Sequence, residues 1–342
     1  MFTGIVKKFT GTLLLLLIIF FNGFCQDNSY HPVRLMFYNV ENLFDTFDDR
    51  VADDNEFLPG GERRWTRARY YNKINSIFKT IVAAGEWEPP DIAGLCEVEN
   101  RKVVEDLVYN TNLARFNYGI IHEDSPDRRG IDVCMIYRKG KVDVLSYRYL
   151  LPRGADSAIL LTRSVLYVKA GASDDTFHIF LNHWPSRRGG VLASEKLRFI
   201  VANMVREAAD TLAAPVRGKI KIIMMGDFNS IPGDKVISTI AGSYGSGLTM
   251  VNLSGHMPAG TGTYRYLGTW EMIDQIFVSD FLLKGPSRLF TEPQLARIFS
   301  PDFLLCDDNK YPGRSPFSTY KGFKYAGGYS DHLPVILDLK VR

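Results

Sequence analysis

Ile222 to Ser230 reads Ile-Ile-Met-Met-Gly-Asp-Phe-Asn-Ser, four apolar residues that run directly into Gly226, Asp227, Phe228 and Asn229. An unbroken apolar run of this length predicts a strand covered on both faces, and the glycine, acid and amide behind it predict a tight turn at the strand's end. In such a turn Asp227 and Asn229, two residues apart, can both face one cleft. Capping of the turn by their side chains is the plainer reading of the same pair.

Polar residues placed immediately after an apolar run recur on either side of this stretch. Upstream, Asn39 follows Val33 to Tyr38 and leads into Val40, Glu41 and Asn42; Glu97 follows Ile92 to Cys96; Asn182 and His183 follow Phe177 to Leu181. Downstream, Asp274 lies inside Ile273 to Val278, and Ser330, Asp331 and His332 precede Leu333 to Leu339. Ile131 to Tyr137, Val142 to Tyr149, Leu160 to Lys169 and Ile220 to Met225 complete the strand-like runs. Helical spacing is clearest where Leu197, Ile200, Val201, Met204, Val205, Ala208 and Leu212 recur every three or four residues; helices are also expected over Trp65 to Ala84 and Arg101 to Tyr109. Strands follow one another without helices in the middle of the chain. That argues against an alternating βαβ barrel and for an α/β sandwich of mixed, partly antiparallel sheets. Phe281 to Gly328, rich in Pro, Gly, Lys and aromatic residues, shows little periodicity and reads as long loops beside the site.

Of the 342 residues 46% are apolar, enough for one sizeable core, so a single domain over residues 31–342 is expected. Residues 1–25 stand apart. Lys7 and Lys8 precede the apolar run Leu13 to Phe21, which ends in Asn22, Gly23, Phe24 and Cys25 in the manner of a secretory signal. The run falls short of the roughly 20 apolar residues a spanning helix needs, and no later segment is long enough either. Cleavage after Cys25 puts Gly23 and Cys25 at the small-residue positions. Lipid attachment at Cys25 is the alternative, for which Phe24 is a poor preceding residue. The expected location is periplasmic or extracellular, and the expected state a monomer. Lys7 and Lys8 are two of 41 basic residues set against 38 acidic ones, so the mature chain is nearly neutral. A protein that clamps long DNA usually carries a basic surplus. Cys96, Cys134 and Cys306 show neither a disulfide framework nor zinc-like spacing with histidine.

Taken in order, Asn39, Glu97, the Asn182–His183 pair, GDFNS, the Asp of IDQIFVS and SDHLP make the chain from Val33 to Leu339 resemble the endonuclease/exonuclease/phosphatase superfamily. The resemblance implies a four-layer sandwich, with two mixed, largely antiparallel β-sheets packed face to face and helices on the outer faces. It implies hydrolysis of a phosphate ester, with Glu97 as principal metal ligand and Asn39 and Asp331 close to the metal. It also implies that Asp227 deprotonates or orients the attacking water, that Asn229 holds the phosphate or nucleophile, and that Asp274 accepts a hydrogen bond from His332. For Glu97 the plain alternative is a solvated strand-end carboxylate, and for Asn39 a turn-forming amide.

A phosphodiester repels nucleophiles and its leaving alkoxide needs stabilising, which calls for a cation and positioned donors. Magnesium is the natural cation, being hard and content with one or two carboxylates and an amide oxygen; manganese and calcium are its alternatives. His183 and His332 suit hydrogen bonding to non-bridging phosphate oxygens. Asp132 is the candidate partner of His183, with buried structural acid as the equal alternative. Arg128 with Arg129, and Arg187 with Arg188, sit in loops near site strands, where they either contact phosphate or are solvated. Pro185 to Gly190 offers backbone amides to a phosphate or forms a helix N-terminal turn.

Three functions compete. The first is an exported nuclease acting on DNA or RNA. The second is a phosphatase or phosphodiesterase of phospholipid or inositol-phosphate headgroups, for which the near-neutral charge and the aromatic loops around Phe303, Tyr311, Phe317, Tyr320, Phe323 and Tyr325 are apt. The third is an inactive binding protein on the same scaffold, against which the retention of every acid, amide and histidine speaks.

Overall fold

The computed structural model describes residues 33–86, 88–187, 190–243 and 245–342. The expected signal and Cys25 lie outside them. In chain order the strands are β1 (Val33–Leu43), β2 (Ile92–Val98), β3 (Tyr118–Ile121), β4 (Asp132–Arg138), β5 (Asp143–Leu150), β6 (Val165–Ala172), β7 (Asp175–His183), β8 (Ile222–Asp227), β9 (Gly242–Ser243) and β10 (Thr249–Asn252). After these come β11 (Tyr264–Tyr266), β12 (Thr269–Glu271), β13 (Asp274–Ser279), β14 (Leu289–Phe290), β15 (Ala296–Ile298), β16 (Leu305–Asp307), β17 (Arg314–Pro316), β18 (Tyr320–Lys321), β19 (Lys324–Tyr325) and β20 (Val335–Val341).

Two seven-stranded sheets result. One runs β14-β20-β1-β2-β4-β3 with β15 added to β20, and the other β5-β6-β7-β8-β13-β10-β9. Each contains one parallel pair, β1 with β2 and β7 with β8, while the remaining pairings are antiparallel. A parallel pair needs a long crossover, and each has a helix in it: Arg67–Gly85 between β1 and β2, Val191–Ala213 between β7 and β8. Thr66 caps the first of these by accepting from the Arg69 amide, and Asn100 caps the helix Arg101–Tyr109 by accepting from Val103.

Alternation along the strands builds the layers. In β1, Leu35 and Phe37 face the second sheet, meeting Leu166, Ile179, Leu181 and Met225, whereas Met36 and Tyr38 face outward onto Ile74, Ile77 and Ile81 of the first crossover helix. On the far side Phe180 and Met224 pack against Val201, Val205 and Ala209 of the second. The expected four layers are therefore present, helix, sheet, sheet and helix. Among the described residues no helix is long and apolar enough to cross a membrane, and Cys96, Cys134 and Cys306 are free thiols.

Two expectations need correcting. The run Leu160 to Lys169 becomes a strand only at Val165, because Leu161 points into solvent and the buried polar residues Thr162, Arg163 and Ser164 interrupt the apolar run. Phe281 to Gly328 is not all loop: β14 and β15 extend the first sheet through β20, and β16/β17 and β18/β19 form two short hairpins. These strands are only two or three residues long, too short for any periodicity to register.

The first sheet also buries charge. Arg34 of β1 lies across from Asp338 of β20 and grips it with two bonds of 2.6 and 3.1 Å, and Arg297 adds a third of 2.7 Å. Burial alone would raise the Asp338 carboxyl; the two guanidinium groups outweigh it and hold it below the usual carboxylate range. Asp338→Asn, which leaves the buried Arg34 only the more distant and exposed Glu86 as an ion-pair partner, is expected to lower stability by about 3 kcal/mol in urea unfolding. A depressed carboxylate stabilises above its unfolded pKa, near 4, and that contribution is lost as pH falls toward the folded value. The variant's stability should consequently fall less steeply on acidification. A loss under about 1 kcal/mol would show the pair to be incidental.

Candidate active site

The strand ends bring the polar residues together. In the second sheet His183 of β7 is in register with Asp227 of β8, and Asp227 with Asp274 of β13, so three functional side chains stand in one row across adjacent strands. Gly226 is required beside them. A Cβ there would lie 2.4 Å from the Asn182 carbonyl oxygen. In the first sheet the pairing of β1 with β2 slips after Asn39, and that of β2 with β4 slips between Cys96 and Val98. Glu97 occupies the second irregularity with φ of +62°, and Glu41 and Asn42 the first with +53° and +57°. Such bulges re-aim a side chain that regular pleating would bury or expose, and they turn Glu97 toward the other sheet's row.

Asp227 is the hub. Its Oδ1 accepts from the Asn229 amide at 2.9 Å, and its Oδ2 accepts from Asn39 Nδ2 at 3.0 Å. The same Oδ2 lies 3.8 Å from the Nε2 atoms of both His183 and His332. Nδ1 of His332 lies 2.7 Å from Asp274 Oδ2, which leaves Nε2 facing Asp227. Glu97 Oε1 stands 3.8 Å from His183 Nε2, and Glu97 Oε2 accepts from the Asn42 amide at 2.9 Å.

Protonation follows from these neighbours. Burial pushes Asp227 up to about 7, Asp274 adds to the rise, and His332 works against it. For His332 burial alone would lower the pKa, yet Asp274 and Asp227 outweigh it and raise it well above the ordinary imidazole value. His183 goes the other way: burial, then the positive charge of Arg163 and Arg129, drive it well below that value. Burial would raise Glu97, but Arg129, His332 and Arg163 hold it below the usual range. One histidine is thus a cation and the other neutral at the same site.

A hard divalent cation fits this donor set. Glu97, Asp227, Asp274 and Asp331 supply oxygens only, four carboxyl groups set against the three cations Arg129, Arg163 and His332. Asp227, Asp274 and His332 cluster with one polar atom of each within 4.8 Å of one another, where the carboxyl groups are the metal-type donors and the protonated His332 is not. Asn39 is partly committed, since its Oδ1 accepts from the Glu41 amide while its Nδ2 donates to Asp227. Asp331 Oδ1 is 4.0 Å from His332 Nε2.

Other residues singled out in the sequence fall differently. Asp132 does not serve His183. Its Oδ2 lies 3.1 Å from Nε2 of His122, its Oδ1 accepts from the Ser125 amide, and His183 faces Glu97 and Asp227 instead. His122 is therefore buried against an acid. Arg129 bonds the Asn42 side chain behind Glu97. Arg187 holds the Asn229 carbonyl and the Glu271 carboxylate, bracing the turn of the row. Asn229, left-handed with φ of +48°, donates its side-chain amide to the Trp184 carbonyl. The Arg128 carbonyl accepts from the Asp53 amide, and Arg188 lies outside the described residues. Arg163 was missed. Its guanidinium is buried 3.4 Å from His183 Nε2 and 3.5 Å from Asp127, and its only sequence signal is a charge among the residues leading into an apolar strand.

The model of the endonuclease/exonuclease/phosphatase family matches residues 34–341. Solved structures share the fold at low identity. The human Nocturnin catalytic domain with bound sulfate is 16% identical, covering 92% of this chain and 96% of its own, with a TM-score of 0.54. A mannosyl-6-phosphatase of Bacteroides thetaiotaomicron is 17% identical, covering 90% and 99%, with a TM-score of 0.52. ANGEL2, a 2',3'-cyclic phosphatase in complex with adenosine-2',3'-vanadate, is 15% identical, covering 90% and 95%, with a TM-score of 0.55. No curated protein matches the sequence.

Proposed function

Since the chain belongs to the endonuclease/exonuclease/phosphatase family, and so is an enzyme acting on phosphate ester bonds with a divalent metal, we propose that it is an exported, magnesium-dependent phosphodiester hydrolase. The observation that carries this reading is Asp227, fixed by two amides and facing a charged and a neutral histidine at equal distance. An acid whose pKa is near 7 can take a proton from water at neutral pH. Asn39 and Asn229 keep its carboxylate in one orientation while it does so. His332, held as a cation by Asp274, donates to a non-bridging oxygen as charge develops there. His183, neutral, with Arg163 behind it, lines the opposite side. When bound, a magnesium ion held by Glu97 and Asp331, with Asn39 beside them, supplies Lewis-acid charge for the phosphoryl oxygens.

Nucleic acid is the favoured substrate, acted on by a monomer in the periplasm or outside the cell. Export rests on the Met1 to Cys25 pattern. A second reading has a specific observation in its favour. Arg129 and Arg163 both stand close enough to Glu97 and His183 to shift their protonation, which adds positive charge to that of His332 at this site. A dianionic monoester or an inositol-phosphate headgroup would use it.

The test is a substrate panel with magnesium: supercoiled plasmid, RNA, sphingomyelin, inositol phosphates, a simple bis-ester and its monoester. Plasmid nicking that chelation abolishes is the expected result. Headgroup or monoester release alone would establish the second reading. No turnover with any divalent cation would sink both.

A further inference from the structure

We propose that Lys73 is a positioning residue of the hydrolytic site: its ammonium clamps Glu41 and the Tyr329 carbonyl together and thereby sets where Asp331 and His332 stand. Lys73 lies on the crossover helix Arg67–Gly85, on the face that also buries Ile74 and Ile77, and its side chain is wholly without solvent. A lysine buried there interrupts an apolar stripe. Burying an ammonium costs several kcal/mol unless its charge and hydrogens are matched.

They are matched by two chain segments that are remote in sequence. Nζ donates to Thr319 Oγ1 at 2.5 Å and to the Tyr329 carbonyl at 2.7 Å, and lies 3.8 Å from Glu41 Oε2. Glu41 in turn accepts from the backbone amides of Thr319, at 2.6 Å, and Tyr320, at 3.3 Å. Its own amide donates to Asn39 Oδ1. One residue beyond Tyr329, Ser330 Oγ donates to the Asn39 carbonyl and accepts from the His332 amide. The ammonium thus ties the end of β1, which carries Asn39, to the segment that carries Asp331 and His332.

There is a second consequence for the metal. Glu41 is a carboxylate two residues from Asn39, but its oxygens are spent on Lys73 and on the amides of Thr319 and Tyr320. Lys73 thereby keeps Glu41 from competing with Glu97 and Asp331 for a cation.

This inference rests on the hydrolase reading, and its test separates the two. Lys73→Met and the charge-neutral double variant Lys73→Met/Glu41→Gln are compared with the unaltered mature chain. Manganese binding is measured by titration calorimetry, metal-free melting is followed by circular dichroism, and kcat and KM are measured on whichever panel substrate is turned over. Lys73→Met is expected to weaken manganese binding and lower kcat by about tenfold or more, the scale of losing a group that orients a ligand, with KM within twofold. The double variant should regain melting temperature but not metal affinity. A folded Lys73→Met with manganese affinity and kcat within twofold of the parent would make Lys73 merely structural and overturn the proposal. If Lys73→Met does not fold, the double variant decides in the same way. Manganese binding needs no substrate, so absence of turnover would sink the hydrolase reading while leaving the role of Lys73 decided by affinity.

Discussion

Glu97→Ala should reduce turnover at least about a thousandfold on any substrate the protein hydrolyses, the scale of removing a group that stabilises transition-state charge. The side chain is aimed by a bulge at φ of +62°, and three cationic groups hold it ionised. A carboxylate kept charged in a buried rim among other acids has its function in a counter-ion. Glu97→Gln, which keeps the shape, should lose nearly as much, and magnesium affinity should fall in parallel. Circular dichroism should be unchanged, because Glu97 packs in none of the three apolar layers. Turnover within tenfold of the parent in either variant would remove Glu97 from the metal site.

Asp274→Asn is the second, and its signature is a displaced pH profile as well as a lower rate. Asp227 must be deprotonated to accept a proton, so kcat/KM of the parent should rise through pH about 7. His332 must stay protonated, so the rate should fall only above its raised pKa. Asp274 raises both groups. Its neutralisation should therefore move both limbs of the bell toward acid and lower the maximum by about 10² to 10³, as for loss of an oriented charge-stabilising donor. His332→Ala should lose a similar factor and the alkaline limb altogether. An alkaline limb in the same place in Asp274→Asn would mean that another group sets it.

Much of this was legible in the amino-acid order because a strand buried on both faces announces itself, and a polar residue at its end has few other reasons to be there. Val33 to Tyr38, Phe177 to Leu181 and Ile222 to Met225 are strands for that reason; His183 and Asp227 end theirs, and Asn39 stands where β1 leaves its regular register. What stayed hidden depends on tertiary contact. Nothing in the spacing of Asp132 distinguishes His122 from His183 as its partner, since the choice is made by the antiparallel pairing of β3 with β4, which brings the residue after β3 beside the start of β4. Lys73 reads as an ordinary solvated lysine on an amphipathic helix, and its burial appears only once Tyr329 closes over it. Arg163 looked like part of a strand because Leu160 and Leu161 lent the run an apolar character that solvent-facing residues also carry. Asn229 stands in the turn behind Asp227, but its amide is held by Trp184, which only the pairing of β7 with β8 brings near.

The pairing of β1 with β20 carries a consequence for how the enzyme comes into being. The first strand of the sandwich has as its neighbours β2 and the distant β20, so the sheet holding Asn39 and Glu97 stays open along one edge until β20 joins it. Contacts so distant along the chain form slowly, and a nascent chain with that edge bare is prone to mispairing. Activity should then appear abruptly when β20 docks onto β1, with no partially competent precursor before it.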